Sequence, residues 1–253
     1  MDIQHIRNAT LFIHYAGKRF LIDPMLAEKG SYPPFPNSER QDQNNPLVRL
    51  PISIDNIIEN VDAVIITHLH LDHFDDAAKD ALPKNIQMFV QNEADALEVK
   101  QAGFLNVEVL SKDSAFEGIQ LIKTEGQHGR GEILNLTGEV CGVVFKHQDE
   151  QILYVAGDTV WYGDIKNEIV QHHPEIIVVN GGDNQFHEGG SLVMGKEDIY
   201  EVYKASPQSK IIVVHMEAVN HWTLSREELK DFTEHEGFAS QVLVPDDGDS
   251  YSF

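Results

Sequence analysis

The apolar run Val61-Asp-Ala-Val-Ile-Ile66 leads directly into Thr67-His-Leu-His-Leu-Asp-His73. A run of that length, rich in β-branched residues, predicts a buried strand. The imidazoles and carboxylate then lie where a strand leaves a sheet, which is where open α/β architectures place their sites. A fold that accepts this stretch must bury the strand and keep its carboxyl end open. Alternate residues of an extended segment share a face, so His68 and His70 can meet one ion. Asp72 and His73 diverge as the chain turns and can reach a second ion. Neutral imidazole suits zinc, manganese or iron, and carboxylate tolerates harder ions. The plain alternative is a solvated polar loop, but four metal-type ligands between His68 and His73 make a specific pattern.

His-x-His-x-Asp-His after a hydrophobic strand resembles the central motif of the metallo-β-lactamase superfamily. The resemblance implies an α/β (α+β) chain folded as a four-layer αββα sandwich, with two divalent ions, Zn2+ or Mn2+, at one edge. On that likeness His128, in Thr124-Glu-Gly-Gln-His-Gly-Arg-Gly131, stands for the family's third histidine. Asp158, in Gly157-Asp-Thr159, resembles its bridging carboxylate, and His215, after the apolar run Lys210–Val214, resembles its last histidine. The first ion would take His68, His70 and His128, the second Asp72, His73 and His215, with Asp158 between them. His221 is the other candidate for the last position. Strand-end placement favours His215, leaving His221 as an acid/base group or substrate contact.

The rest of the chain reads as alternating strands and helices. Residues 9–15 and 19–23 predict a hairpin closed by Asp23-Pro24. Asp23 either orients a ligand histidine or caps the turn. Residues 24–52, with six prolines, predict a long irregular loop that covers the site, with Tyr32, Phe35 and Arg49 as candidate contacts. Helices are expected over 53–59, 75–82, 93–101, 164–171 and 196–204, and Ser225-Arg-Glu-Glu228 forms a capping box for a last one. Trp161 and Tyr162 wall the pocket or pack in the core. Asp183 and His187, in the glycine-rich stretch Asn180–Gly190, contact substrate, support the ligands, or only hydrogen-bond within their loop. That stretch lacks the Gly-Lys-Ser/Thr of a phosphate loop. Residues 1–253 are expected to form one domain of two similar halves, about 1–137 and 138–253, and the tail Asp246–Asp249 is expected to be solvated.

Net charge is −22, from 19 basic against 41 acidic residues, and no basic cluster stands out. Such a field repels phosphate backbones, so nucleic acid is an unfavourable partner and a small molecule the expected one. No apolar stretch reaches the length of a membrane span. Met1–Arg7 has no signal-peptide core, and the single Cys141 precludes an internal disulfide; a cytoplasmic location is expected. Homo-oligomerisation is left open.

The expected chemistry is hydrolysis. The paired ions lower the pKa of a shared water to give hydroxide, which attacks a lactone, ester, amide or phosphodiester, with Asp72 handling a proton. Within the superfamily the chain is most similar to small stand-alone hydrolases of the L-ascorbate-6-phosphate lactonase kind. That likeness rests on the Asp-Pro hairpin, Gly157-Asp-Thr-Val-Trp-Tyr162 and His215. A nuclease of the same fold is the alternative, and a non-catalytic metal-binding or sensor module a second. A redox role is disfavoured, because flavo-diiron relatives replace a motif histidine and add a flavin domain.

Overall fold

A computed structural model describes residues 1–253. One sheet holds β1 (Asp2–Arg7), β2 (Thr10–Tyr15), β3 (Lys18–Ile22), β4 (Ala63–Ile66), β5 (Gln87–Val90) and β6 (Asn106–Val109) in chain order, with β14 (Ser250–Ser252) outside β1. The other holds β7 (Ala115–Phe116), β8 (Ile119–Glu125), β9 (Cys141–Lys146), β10 (Leu153–Val155), β11 (Ile176–Asn180), β12 (Lys210–Val214) and β13 (Val242–Leu243), again in order.

Period-2 alternation sorts the strand residues into three apolar layers. Ile13, Phe20 and Ile65 of the first sheet pack on Leu121, Val143, Phe145 and Val178 of the second. The opposite faces bury Val64, Ile66, Met88 and Val90 against α1 (Ile54–Ile58), α2 (Asp76–Ala81) and α3 (Glu93–Gln101). On the far side, Val144, Ile177, Val179 and Val213 pack under α5 (Gly163–His172), α6 (Lys196–Ala205) and α7 (Arg226–His235). The result is the metallo-β-lactamase fold, two mixed sheets flanked by helices. Each fully buried Val, Leu, Ile or Phe side chain contributes about 1.5–3 kcal/mol. No helix is long and apolar enough to cross a membrane.

Some details go beyond the expected layout. The sheets divide between β6 and β7. A short helix, α4 (Leu134–Thr137), follows a 3-10 turn at Gly131–Ile133, in a stretch for which no element was expected. The acidic tail leaves Asp246 and Asp249 exposed, as expected, and is anchored as well: Arg226 Nη2 holds Asp247 at 2.7 Å, Gly248 N donates to His5 O, and β14 closes antiparallel on β1.

Strand direction positions the site. β3, β4, β5 and β6 are parallel, as are β10, β11, β12 and β13. β8 is antiparallel to β9, which is antiparallel to β10, so β8 and β10 run the same way. The carboxyl ends of β3, β4, β8, β10, β11 and β12 therefore open on one edge of the sandwich.

Candidate metal centre

Each of those strand ends delivers a polar side chain. Asp23 follows β3, His68 to His73 follow β4, His128 follows β8, Asp158 follows β10, and His215 follows β12. Three groups have ligand atoms within 4.8 Å of one another: His68, His70 and His128; His68, His73 and Asp158; and Asp72, His73 and His215. Asp158 lies among them. Its Oδ2 is 3.2 Å from His73 Nε2, 3.5 Å from His128 Nε2 and 3.9 Å from His68 Nε2, and its Oδ1 is 3.7 Å from His215 Nε2. Asn180, the last residue of β11, donates to Oδ1 at 2.5 Å.

The rings are oriented from behind. Asp23 accepts from Thr67 N at 2.7 Å, from the Thr67 hydroxyl at 2.7 Å and from His73 Nδ1 at 2.9 Å. With its proton given to Asp23, the Thr67 oxygen can only accept from His68 Nδ1, 3.2 Å away. The Nε2 atoms of both histidines are thereby left to face the cluster. His128 Nδ1 meets the Leu192 carbonyl at 3.0 Å, which turns its Nε2 inward in the same way. Asn8, in the β1–β2 turn, accepts from His215 N at 2.8 Å and donates to the Asp72 carbonyl at 2.9 Å. His215 sits at φ +62°, an uncommon conformation for a residue other than glycine and one that collects at functional sites. Gly157 sets Asp158: its φ is +69°, and a Cβ there would strike the Cys141 carbonyl oxygen.

These donors suit divalent cations. His68 Nε2 and His73 Nε2 are buried and have no hydrogen-bond partner, an arrangement that buried imidazoles otherwise avoid. Burial, then neighbouring His73 and His70, holds His68 well below its usual pKa and therefore neutral, as a ligand must be. Burial opposes charge on Asp158, yet the imidazoles of His73 and His215 keep its carboxyl well below the usual range. Burial likewise opposes charge on Asp72, and its bond from His215 overcomes that. Imidazole nitrogen and carboxylate oxygen together are donors that suit a divalent cation.

A cavity of about 180 Å³ opens on the cluster, lined by His70, Asp72, His128, Asp158 and His221 together with Phe35, Leu71, Leu136, Phe186 and Leu192. His221 stands at its wall with 6% of its surface exposed. Burial pushes its pKa down to about 4, so the ring is neutral at pH 7. Asn184 Nδ2 lies 3.2 Å from Nε2, and Phe35 packs edge-on at 4.8 Å. His221 is not among the groups that could hold an ion. The 24–52 loop does reach over the site, through Phe35. Tyr32 instead bridges to Asn45, and Arg49 lines a separate outer groove.

Other expected contacts lie elsewhere. Trp161 and Tyr162 pack against the core beneath α5 and α6, because Asp198 holds the Trp161 amide at 3.0 Å. Asp183 lies against Gly195, the residue that starts α6. His187 is exposed at the outer rim. Thr67, Asn8, Asn180 and Asn184 were not singled out from the sequence. Only the strand-end position of Asn180 could have signalled it.

A family model described as a beta-lactamase superfamily domain matches residues 18–216. The UPF0173 protein YddR of Bacillus subtilis is 70% identical over 254 residues, the full length of both chains. An isothiocyanate hydrolase from Delia radicum gut bacteria has a solved structure with TM-score 0.96 and 42% identity, over 100% of this chain and 99% of that one. A possible metal-dependent hydrolase from Veillonella parvula gives TM-score 0.98 and 39% identity over the same shares.

Proposed function

Starting from a chain that belongs to the metallo-β-lactamase superfamily and to its UPF0173 family, we propose that it is a dinuclear metal-dependent hydrolase acting on a small, uncharged compound with an electrophilic carbon, isothiocyanates foremost. One observation carries the reading: Asp158 lies within 4 Å of imidazoles from both histidine groups, as a carboxylate shared by two ions would. His68, His70 and His128 would hold one ion, and Asp72, His73 and His215 the other. Bound there, divalent ions supply Lewis acidity and bring the pKa of water towards neutrality.

The chain's own groups do the rest. Asp23 and Thr67 keep ligand nitrogens aimed, and Asp72 presents a carboxylate to the cavity to take a proton at Oδ. His221, neutral and held beside Asn184, lines the cavity where the substrate would sit. Phe35, Leu192 and Phe186 exclude bulk water. No lysine or arginine lines the cavity, so a phosphodiester would find no cationic side chain there. For an isothiocyanate, one water adds to the carbon, the C–N bond breaks, and a primary amine and carbonyl sulfide leave. A lactone or ester offers a similar carbon and is the second reading.

Protein purified without chelator, analysed for zinc and manganese and assayed for amine release, tests this. About two equivalents of metal and turnover abolished by His68→Ala or Asp158→Ala are expected. Faster turnover of bis-p-nitrophenyl phosphate than of any isothiocyanate or lactone would overturn the substrate class.

A further inference from the structure

The inner cavity, at about 180 Å³, has room for about six waters at ~30 Å³ each, enough for a reacting group but little else. A second hollow of about 550 Å³ adjoins it and shares Leu136 and Phe186 as walls. Pro36, Ile133, Leu136 and Phe186 make most of its lining, with Asn37, His187 and Glu188 completing it and no lysine or arginine. Its walls are built for close packing: a Cβ at Gly189 would lie 2.9 Å from Ile133 Cδ1, so the 186–190 segment seats directly on the 131–137 segment. Phe186 also stacks on His221, at 5.9 Å and 18° between planes, joining the hollow to the catalytic wall. Leu136 is 79% exposed although it borders both spaces.

We infer that this hollow is the specificity subsite and that it takes the uncharged alkyl or aryl arm of the substrate, whose reacting carbon sits in the inner cavity. The inference rests on the hydrolase reading above. It commits to an apolar arm because the lining carries one carboxylate and no lysine or arginine, which disfavours an anionic arm. A bound arm covers Leu136 and one face of Phe186, and each methylene so buried strengthens binding by about fourfold.

The test compares methyl, butyl and phenethyl isothiocyanates on the metal-loaded protein. In the wild type, kcat/KM for phenethyl should exceed that for methyl by about tenfold or more. Leu136→Asp alters an exposed position and should leave folding intact; it and Phe186→Ala should each cut that ratio by about fivefold. A ratio near one in the wild type, or one unchanged in both variants, overturns the subsite. If no isothiocyanate is turned over, the hydrolase substrate fails, and the subsite is read separately by calorimetry with N-phenethylurea and N-methylurea. Binding of the first about tenfold tighter, and lost in Leu136→Asp, sustains it; equal affinities overturn it.

Discussion

Asp23 and His73 are joined by a 2.9 Å hydrogen bond to Nδ1, and the same carboxylate steers His68 through the Thr67 hydroxyl. One side chain thus orients imidazoles of both candidate ion sites. Asp23→Asn replaces an acceptor oxygen with an amide that repels one of these donors. Metal affinity should fall about 10–100-fold, as for other residues that support ligand histidines. Competition against a chelator of known affinity measures it; an unchanged affinity would refute the orienting role.

The two sheets supply different ligands, so an ion pair would cross-link them. Chelation should lower the unfolding temperature, and added metal should restore it in a concentration-dependent way, since binding to the folded state alone stabilises by RT ln(1 + [L]/Kd). His215→Ala should retain about one metal equivalent and His221→Ala about two. The reverse result in elemental analysis would exchange their roles.

Asn220 ties the covering loop to the segment bearing His221. Its Oδ1 accepts from Phe35 N at 2.8 Å and Asn45 Nδ2 at 2.9 Å, and its Nδ2 donates to Ser38 Oγ at 2.9 Å and Glu39 O at 2.7 Å. Asn220→Ala strands several buried groups, at about 1–3 kcal/mol for each left unsatisfied. Denaturant unfolding should register a loss of about 2–4 kcal/mol. KM should rise more than kcat falls, because Phe35 loses its anchor.

Gly157→Ala places a methyl on the Cys141 carbonyl at a φ that disfavours side chains. A loss of about 1–3 kcal/mol is expected, with Asp158 displaced and activity reduced. Wild-type melting and turnover in this variant would show the turn to be more yielding than its geometry implies.

Cys141 should resist iodoacetamide in the native state. It is buried, its thiol is pushed up by burial, and Sγ rests 3.5 Å from the Thr67 carbonyl. Mass spectrometry before and after denaturation checks this.

The αββα layers were legible because apolar alternation in strands such as β8 and β12 survives in one dimension. The cluster was legible for a related reason. His68 to His73 are contiguous, and His128, Asp158 and His215 each follow an apolar run. Uncharged polar residues carry no such mark. Asn8, Asn184 and Asn220 acquire their roles only when a turn or loop is folded onto the site. For Asp183 and Trp161 the sequence left two placements open, because a position in a loop after a strand does not fix side-chain direction; the structure sets Asp183 beside Gly195 and binds the Trp161 amide to Asp198. α4 was hidden by Gly129, Gly131 and Gly138, whose positive φ angles frame a helix of only one turn.

The pairing of β14 with β1 bears on how the chain matures. Asp2, Ile3 and Gln4 leave the ribosome some 250 positions before their outer partners Ser252, Tyr251 and Ser250. Until then the outer rim of the first sheet offers open amides and carbonyls to any stray strand. The sandwich can be closed at that side only after all of β2 to β13 has been made.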